Sequence, residues 1–264
     1  MTPRILLLGG HGKISLLMTP KLLARSWNLT SVIRDPAQKA AIQEAGKAGP
    51  GKLDVLVESL DEVKSESDAK RILDLVKPDW VIWSAGAGGK GGASRTNAID
   101  KEACIHFIRS ALSTPTISKF LLVTALSERR QRAPWWDDES WALVQKMNTE
   151  ILPAYYAAKL ASDDVLTVLG RAKQGFGYIL LRPGSLSDEQ ETGKVELGKT
   201  RAKGTVARAD VAEVAVRLLE RGGGEGWFDS LGGEEEVGKA VERVVREGVD
   251  CMEGEDVEVM KAGM

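Results

Sequence analysis

The stretch that decides the fold lies near the amino terminus and reads Ile5-Leu6-Leu7-Leu8-Gly9-Gly10-His11-Gly12-Lys13-Ile14-Ser15. An apolar strand, a glycine turn and an apolar-periodic helix follow one another directly. This order is typical of a dinucleotide phosphate site. There, Gly9 would permit the tight turn off the strand, and Gly12 would let the backbone approach the pyrophosphate. The helix that follows would direct its free N–H groups at the phosphates.

The motif departs from the usual one, because Ser15 stands where a third glycine allows close packing of helix on strand. Serine is small enough to serve there. A P-loop is excluded, because Gly12-Lys13 is followed by Ile14 and not by a magnesium-binding Ser or Thr. An ordinary glycine-rich turn remains the alternative. Pro20 predicts a kink or an early end of the first helix.

Composition and charge predict a soluble globular chain. The 264 residues are 43% hydrophobic and 28% charged, with a net charge of −2. No apolar run approaches a membrane span, and the short apolar start is not a signal peptide. Residues 232–264 carry a net charge of −6, so residues 1–231 carry a net charge of +4. That excess is too weak to predict a nucleic-acid partner.

Cysteine and histidine are scarce, which limits the possible chemistry. Cys104 and Cys251 form no disulfide framework and indicate a reducing compartment, so we expect a cytoplasmic protein. The two histidines, His11 and His106, argue against a catalytic His triad and against a zinc or other metal site.

Strand-like and helix-like segments alternate along the chain. The predicted strands are residues 5–8, 31–33, 53–57, 80–83, 120–123, 178–181 and 227–231. The predicted helices are residues 37–47, 67–76, 97–112, 138–170 with a break at Pro153, 209–220 and 235–246. The alternation predicts an α/β fold, a Rossmann-type doubly wound parallel sheet with helices on both faces.

Two regions are expected within this fold. Residues 1–232 would form the NAD(P)-binding domain. Residues 233–264 would form a C-terminal helix and acidic tail packed on the same domain, a small substrate-side region. We expect the acidic tail to be a solvated face or a frayed end rather than an interaction tail.

Polar and glycine-rich clusters follow the predicted strands at their carboxyl ends, where ligands bind in such sheets. These clusters are residues 9–15, 34–35, 59–60, 84–92, 124–127 and 182–185. The loop 86–92 is either a lid that closes over a ligand or a plain flexible turn. The segment 128–141, rich in Arg and Trp, is either a lid over a flat, anionic substrate or a loop whose tryptophans pack on the domain.

Arg34 closes the second predicted strand, where an acidic residue would bind the ribose 2′-hydroxyl of NAD. A guanidinium suits a 2′-phosphate instead, so we predict NADP(H) rather than NAD(H). Asp35 beside it keeps NAD(H) open, and a surface Arg next to a turn is the other alternative.

Tyr155 and Lys159 are four residues apart on a predicted helix and therefore project from one face. A phenol with a pKa near 10 is a poor acid–base catalyst at neutral pH. A neighbouring ammonium and the positive charge of an oxidised nicotinamide would lower the pKa of Tyr155. Such a pair also occurs on many helices by chance.

Taken together, these motifs resemble the atypical short-chain dehydrogenase/reductase superfamily, in its NmrA-like or NAD(P)H-binding branch. The resemblance keeps its order from residue 4 to about residue 232. It rests on residues 9–15, 32–36, 123–125, 155–163, 181–184 and 208–212. It implies a Rossmann fold with bound NADP(H), a small-molecule substrate and a monomer, with a homodimer left open.

The glycine turn, Arg34 and the resemblance together predict a set of cofactor-binding residues. These are Gly9, Gly10, His11, Gly12, Lys13, Ile14, Arg34, Ser59, Leu60, Ser84, Ala85, Gly86, Lys159, Pro183, Gly184, Ser185 and Leu186. The resemblance implies that residues 59–60 flank the adenine and residues 84–87 pass beneath the cofactor. Thr124 and residues 183–186 would line the nicotinamide end.

The predicted activity is reduction of a carbonyl, quinone or flavin-like molecule by hydride transfer. Tyr155 would donate the proton, Lys159 would hold the ribose hydroxyls, and Thr124 would hydrogen-bond the substrate oxygen. The family's catalytic Ser is missing in its usual form after the fifth predicted strand, and Thr124 is its replacement. The alternative is a non-catalytic sensor of NADP(H), as NmrA-like regulators are.

Overall fold

The computed structural model describes residues 2–88, 91–222 and 224–264. Its strands, in chain order, are β1 (Arg4–Leu8), β2 (Asn28–Ile33), β3 (Leu53–Val57), β4 (Trp80–Trp83), β5 (Lys119–Val123), β6 (Gly177–Pro183), β7 (Ser185–Ser187), β8 (Lys194–Leu197), β9 (Thr205–Ala207), β10 (Gly226–Gly232) and β11 (Glu235–Glu236). The loop 86–92, predicted to be a lid or a turn, includes residues 89 and 90, which lie outside the described residues.

The α-helices are α1 (Lys13–Ala24), α2 (Lys39–Gly46), α3 (Glu66–Val76), α4 (Gly92–Thr96), α5 (Cys104–Ser113), α6 (Asp138–Lys146), α7 (Pro153–Ala172), α8 (Arg208–Arg221), α9 (Val237–Arg246) and α10 (Val257–Ala262). Two π-helical segments extend them. Asn97–Ala103 joins α4 to α5, and Met147–Ile151 continues α6. No helix within the described ranges is long and apolar enough to cross a membrane.

Nine strands form one sheet in the order β11-β8-β10-β6-β5-β4-β1-β2-β3. The seven strands from β10 to β3 in this order run parallel, and β8 and β11 add an antiparallel edge. The predicted Rossmann-type sheet is therefore confirmed. The strand order reverses between β1 and β4, which is where ligands bind in doubly wound sheets.

The parallel strands are buried on both faces, as their near-continuous apolar sequences predict. In β1, Ile5 and Leu7 join the core beneath α1, α8 and α9, whereas Leu6 and Leu8 join the core beneath α3, α5 and α7. This two-sided burial holds the carboxyl ends of β1, β4 and β5 together at one edge.

Pro20 does not end the first helix, so the predicted early end is wrong. α1 continues through Pro20 to Ala24. Pro20 lies on the exposed face, while Met18, Leu22 and Leu23 on either side of it are completely buried. Their burial outweighs the hydrogen bond that proline cannot donate.

The acidic tail is not frayed, so of the two expected forms the frayed end is wrong, whereas Glu234, Glu236, Glu253 and Asp256 are exposed to solvent. The buried Glu255 side chain accepts hydrogen bonds from the backbone N–H groups of Arg130 and Gln131, each at 2.9 Å. Farther along, Met260 of α10 is fully buried. The backbone N–H groups of residues 130 and 131 and the burial of Met260 thus hold the tail on the domain.

The Arg- and Trp-rich segment packs on the domain, which favours that alternative over a lid. The indole N–H groups of Trp135 and Trp136 both donate to the carbonyl of Thr200, at 2.9 and 2.8 Å. The buried guanidinium of Arg129 lies 5.6 Å from both ring centroids and donates to the carbonyl of Glu253 at 2.6 Å. These contacts hold the two indoles and the Arg129 guanidinium on the domain.

Candidate active site

The glycine turn between β1 and α1 has a shape that side chains would prevent. Gly9 adopts a φ of +84°, and a Cβ there would lie 2.6 Å from the Cα of Ala85. A Cβ on Gly10 would lie 1.9 Å from the Ser31 hydroxyl. The Gly12 N–H donates to the Gly9 carbonyl at 2.9 Å and closes the turn.

Beyond the turn, α1 presents an uncapped amino terminus. Its N-cap residue is Gly12, and no side chain accepts a hydrogen bond at the cap. The first N–H groups of a helix have no partner within the helix, and they attract anions. Ser15 is completely buried against the sheet, as expected of the residue that replaces the third glycine. The turn and the helix together form a cradle that fits a dinucleotide pyrophosphate.

A cleft runs along this edge of the sheet as two adjoining cavities of about 210 and 760 Å³. Gly12 and residues 84–87 line both. The smaller cavity lies at the ends of β2 and β3, and the predicted residues lining it are Gly9, His11, Gly12, Arg34, Leu60, Ser84, Ala85 and Gly86. The predicted residues lining the larger cavity are Gly12, Lys13, Ile14, Ser84, Ala85, Gly86, Thr124, Tyr155, Lys159 and Leu186.

Five predicted cofactor-binding residues do not line either cavity in the part of the chain that is described. They are Gly10, Ser59, Pro183, Gly184 and Ser185. Ser59 instead caps the turn Leu60–Glu62 by accepting a hydrogen bond from the Asp61 N–H at 3.3 Å. Gly184 leaves room for the Leu231 side chain, because a Cβ on Gly184 would lie 2.3 Å from it.

The acids near Arg34 are bound by other groups. The Asp35 carboxylate accepts a hydrogen bond from the Ala37 N–H at 2.9 Å, which caps the turn Pro36–Gln38. Glu58 and Asp61 line the same cavity, but each is held by a bidentate arginine, Arg71 and Arg95 respectively. Across the described ranges Arg34 forms no ion pair, and its exposed guanidinium borders the cavity.

Tyr155 and Lys159 meet on the wall of the larger cavity, as their spacing predicts. The Lys159 ammonium lies 5.7 Å from the centroid of the Tyr155 ring. Burial raises the pKa of Tyr155 to about 12, although the charge of Lys159 lowers it. The expected lowering by the ammonium is therefore present but is outweighed by burial. At neutral pH the Tyr155 hydroxyl keeps its proton.

Lys159 is itself buried and has an acidic partner that the sequence did not reveal. Its ammonium lies 3.3 Å from Asp100 and donates to the Val123 carbonyl at 3.3 Å. Burial opposes its charge, yet Tyr155 and Asp100 raise the pKa of Lys159 above the ordinary value. Two contacts leave one of its three N–H donors for a ligand.

Asp100 also holds the segment that both cavities share. One carboxylate oxygen accepts a hydrogen bond from the Ala87 N–H at 2.8 Å, and the other faces Lys159. It lies in the π-helical segment Asn97–Ala103, and such segments are common at functional sites. No local pattern could have identified Asp100, because its partners are distant in sequence.

Thr124 lines the larger cavity and hydrogen-bonds a buried network of charged side chains. Its hydroxyl donates to Asp163 at 3.0 Å, and the same carboxylate oxygen accepts a hydrogen bond from Arg182 at 3.1 Å. Arg182 also binds Asp229 at 2.8 Å. Asp163, Arg182 and Asp229 are completely buried.

The acids around Arg182 have raised pKa values because burial outweighs its charge. Burial raises the pKa of Asp163 to about 8 and that of Asp229 to about 6, while Arg182 lowers both. Glu128, also buried, has its pKa raised to about 7 for the same reason. Among the described residues, no group of His, Cys, Asp or Glu side chains could hold a metal ion.

We expect Gly9→Ala to lower the free energy of unfolding by roughly 2–4 kcal/mol, because it adds left-handed strain to a clash with Ala85. Gly175→Ala is the matched control. Gly175 has a φ of +75°, but no atom lies within 4 Å of its added Cβ, so about 1–2 kcal/mol is expected. Urea unfolding measures both. Equal losses would contradict the tight contact between the turn and residues 84–87.

Comparison with known proteins identifies the family. The family described as NAD(P)H-binding matches residues 9–221. The chain belongs to this family. Its match covers the glycine turn, the Tyr155–Lys159 pair and the segment through α8, which are the elements that build the cleft.

Two relatives and one solved structure are similar to this chain over most of its length. The UPF0659 protein C216.03 of Schizosaccharomyces pombe is 31% identical over 79% of this chain and 81% of its own. The uncharacterized sugar epimerase YhfK of Bacillus subtilis is 25% identical over 91% of this chain and 100% of its own. A Bacillus halodurans structure, designated a putative NAD-dependent epimerase/dehydratase, superposes with a TM-score of 0.72 at 25% identity. The match covers 91% of this chain and 99% of that one.

Proposed function

We propose that this NAD(P)H-binding protein is an NADP(H)-dependent reductase of a carbonyl, quinone or flavin-like small molecule. The observation that carries the proposal is the shared cavity. Tyr155 and Lys159 line the same space as the glycine turn and the amino terminus of α1. A proton donor and a fixed cation therefore border the larger of the two cavities, next to the cradle for the phosphates.

When bound, the nicotinamide would supply a hydride. The protein's own residues would supply the proton and the orientation. Tyr155 is held in its protonated form, the form that can donate a proton to an oxygen that gains negative charge. Lys159, fixed by Asp100, would stabilise the resulting phenolate and offer its remaining donor to a ribose hydroxyl. A raised pKa of Tyr155 favours reduction over the reverse oxidation, which would need a phenolate base.

The preference for NADP(H) rests on Arg34. Its guanidinium borders the smaller cavity, while the neighbouring acids Asp35, Glu58 and Asp61 are held by other partners. A 2′-phosphate would find a cation there, whereas the two carboxylates that line this cavity, Glu58 and Asp61, are already paired with arginines.

We expect Arg34→Ala to raise the Kd for NADPH roughly 10- to 100-fold, because a charged hydrogen-bond partner is lost. The Kd for NADH should stay within about twofold. Arg4→Ala is the control, since Arg4 pairs with Asp79 and neither residue lines the cavity. Calorimetric titration of both nucleotides measures the effect. Equal weakening of NADPH and NADH would argue against recognition of the 2′-phosphate.

A second candidate is a non-catalytic NADP(H) sensor. It is favoured by Thr124, whose hydroxyl proton is engaged by Asp163 and not directed at a substrate oxygen. The names of the Bacillus relatives point instead to epimerisation, in which hydride transfer regenerates the cofactor. Net consumption of NADPH with an acceptor supports the reductase, and its absence with every acceptor class supports one of the other two.

A further inference from the structure

Exposed apolar side chains surround the larger cavity. Ile151, Leu152 and Leu186 line it, although they are 55%, 47% and 36% exposed. Leu143 and Met147 precede Ile151 at four-residue intervals on α6 and its π-helical continuation, and both are also exposed. Exposed apolar side chains that line a cavity mark a binding site. Ile151 and Leu152 line the same cavity as Tyr155.

Two cations border the same cavity and hold a carboxylate between them. Lys13, the first residue of α1, and Arg208, the first residue of α8, both line the cavity and both contact Asp188. Arg208 donates to one carboxylate oxygen at 2.6 Å, and Lys13 contacts the other. Asp188 follows β7 and is 60% exposed.

This arrangement leaves net positive charge at the cavity. Two cations share one carboxylate, whereas the other charged pair on the wall, Lys159 and Asp100, is balanced. A guanidinium has five N–H donors and an ammonium has three, so both cations keep donors beyond those used by Asp188. The Lys13–Asp188 pair is exposed, and exposed ion pairs contribute little to stability, so a ligand anion can compete with Asp188 for Lys13.

We propose that the larger cavity takes an amphipathic acid, a carbonyl compound with an apolar body and a carboxylate or phosphate group. The acid group would replace Asp188 between Lys13 and Arg208, and the apolar body would lie against Ile151, Leu152 and Leu186. This inference rests on the proposed reductase function, for which it names the substrate class. It makes Arg208 a specificity-determining residue.

The test is calorimetric titration of the NADPH-saturated protein with octanoate and with octanol, its uncharged counterpart. Octanoate should bind at least about tenfold more tightly than octanol, and Arg208→Met should remove that difference. Asp188→Asn should strengthen octanoate binding severalfold, because the competing carboxylate is gone. Arg201→Met is the control, since Arg201 pairs with Glu196 away from the cavity.

Three results would overturn the inference. Equal binding of octanoate and octanol would show that no anion site exists. Competition between octanoate and NADPH would assign the cations to the cofactor phosphates. The same conclusion would follow if Arg208→Met weakened NADPH binding as much as it weakened octanoate binding.

A failure of NADPH to bind would instead contradict the proposed function, and the same titration then uses the cofactor-free protein. Octanoate binding that depends on Arg208 would still support the acid site. Binding that is independent of Arg208 would overturn it.

Discussion

Replacing Tyr155 by phenylalanine is expected to lower kcat roughly 10²- to 10⁴-fold, the usual contribution of a positioned proton donor. The Kd for NADPH should change by less than about twofold, because the phenyl ring keeps its packing beside Lys159. Only the hydroxyl is removed, and no other tyrosine of the described residues lines either cavity.

Tyr156→Phe provides the matched control for this experiment. The Tyr156 hydroxyl donates to the Arg129 carbonyl at 3.1 Å, and the residue does not line either cavity. Its kcat should remain within about threefold of wild type. NADPH oxidation with 4-nitrobenzaldehyde, menadione and FMN measures turnover with a carbonyl, a quinone and a flavin acceptor. Equal kcat values for wild type and Tyr155→Phe would remove Tyr155 from the reaction.

Replacing Arg182 by methionine is expected to lower the free energy of unfolding by about 3–5 kcal/mol at neutral pH, the usual cost of leaving buried charges unpaired. Arg182 lies between Asp163 and Asp229, donates to the carbonyl of Leu126 at 3.0 Å, and packs 4.0 Å from the Trp227 ring centroid. Methionine keeps part of this packing but none of the charge.

The loss should depend on pH in a defined direction. Burial already raises the pKa of Asp163 and Asp229, and removing Arg182 raises both further. A carboxyl whose pKa is higher in the folded state stabilises that state only while protonated, so stability falls as pH rises. The loss should therefore be larger at about pH 8 than at about pH 5.

Urea unfolding at both pH values measures the effect. Arg4→Met is the control, because Arg4 forms an exposed pair with Asp79 that is worth less than about 1 kcal/mol. A loss below about 1 kcal/mol for Arg182→Met, or one that grows toward acid pH, would contradict the charge network described around Arg182.

The main sheet could be predicted from sequence because its strands are apolar and bounded by turns. Residues 53–57 and 80–83 match β3 and β4 at both ends. The strands β7, β8, β9 and β11 escaped prediction. Each has two to four residues, at or below the shortest run in which an alternating pattern identifies a strand. Their pairing depends on distant partners, such as β8 on β10.

In the candidate site, too, the sequence predicts the local patterns but not the contacts between distant residues. The glycine turn and the pair Tyr155–Lys159 are local patterns, so the sequence displays them. Asp100 and Asp163 escaped because they meet Lys159 and Thr124 only after the sheet forms. Pro20 showed the opposite error, in which a strong local rule yielded to tertiary packing.

The central claim is that the cleft binds NADP(H). The most direct measurement is a tryptophan-fluorescence titration of the wild-type chain with NADPH and NADH in parallel. We expect saturable binding of NADPH that is at least about tenfold tighter than that of NADH, because Arg34 adds a charged contact with the 2′-phosphate. Equal affinities would contradict the role of Arg34, and no binding of either nucleotide would contradict the account as a whole.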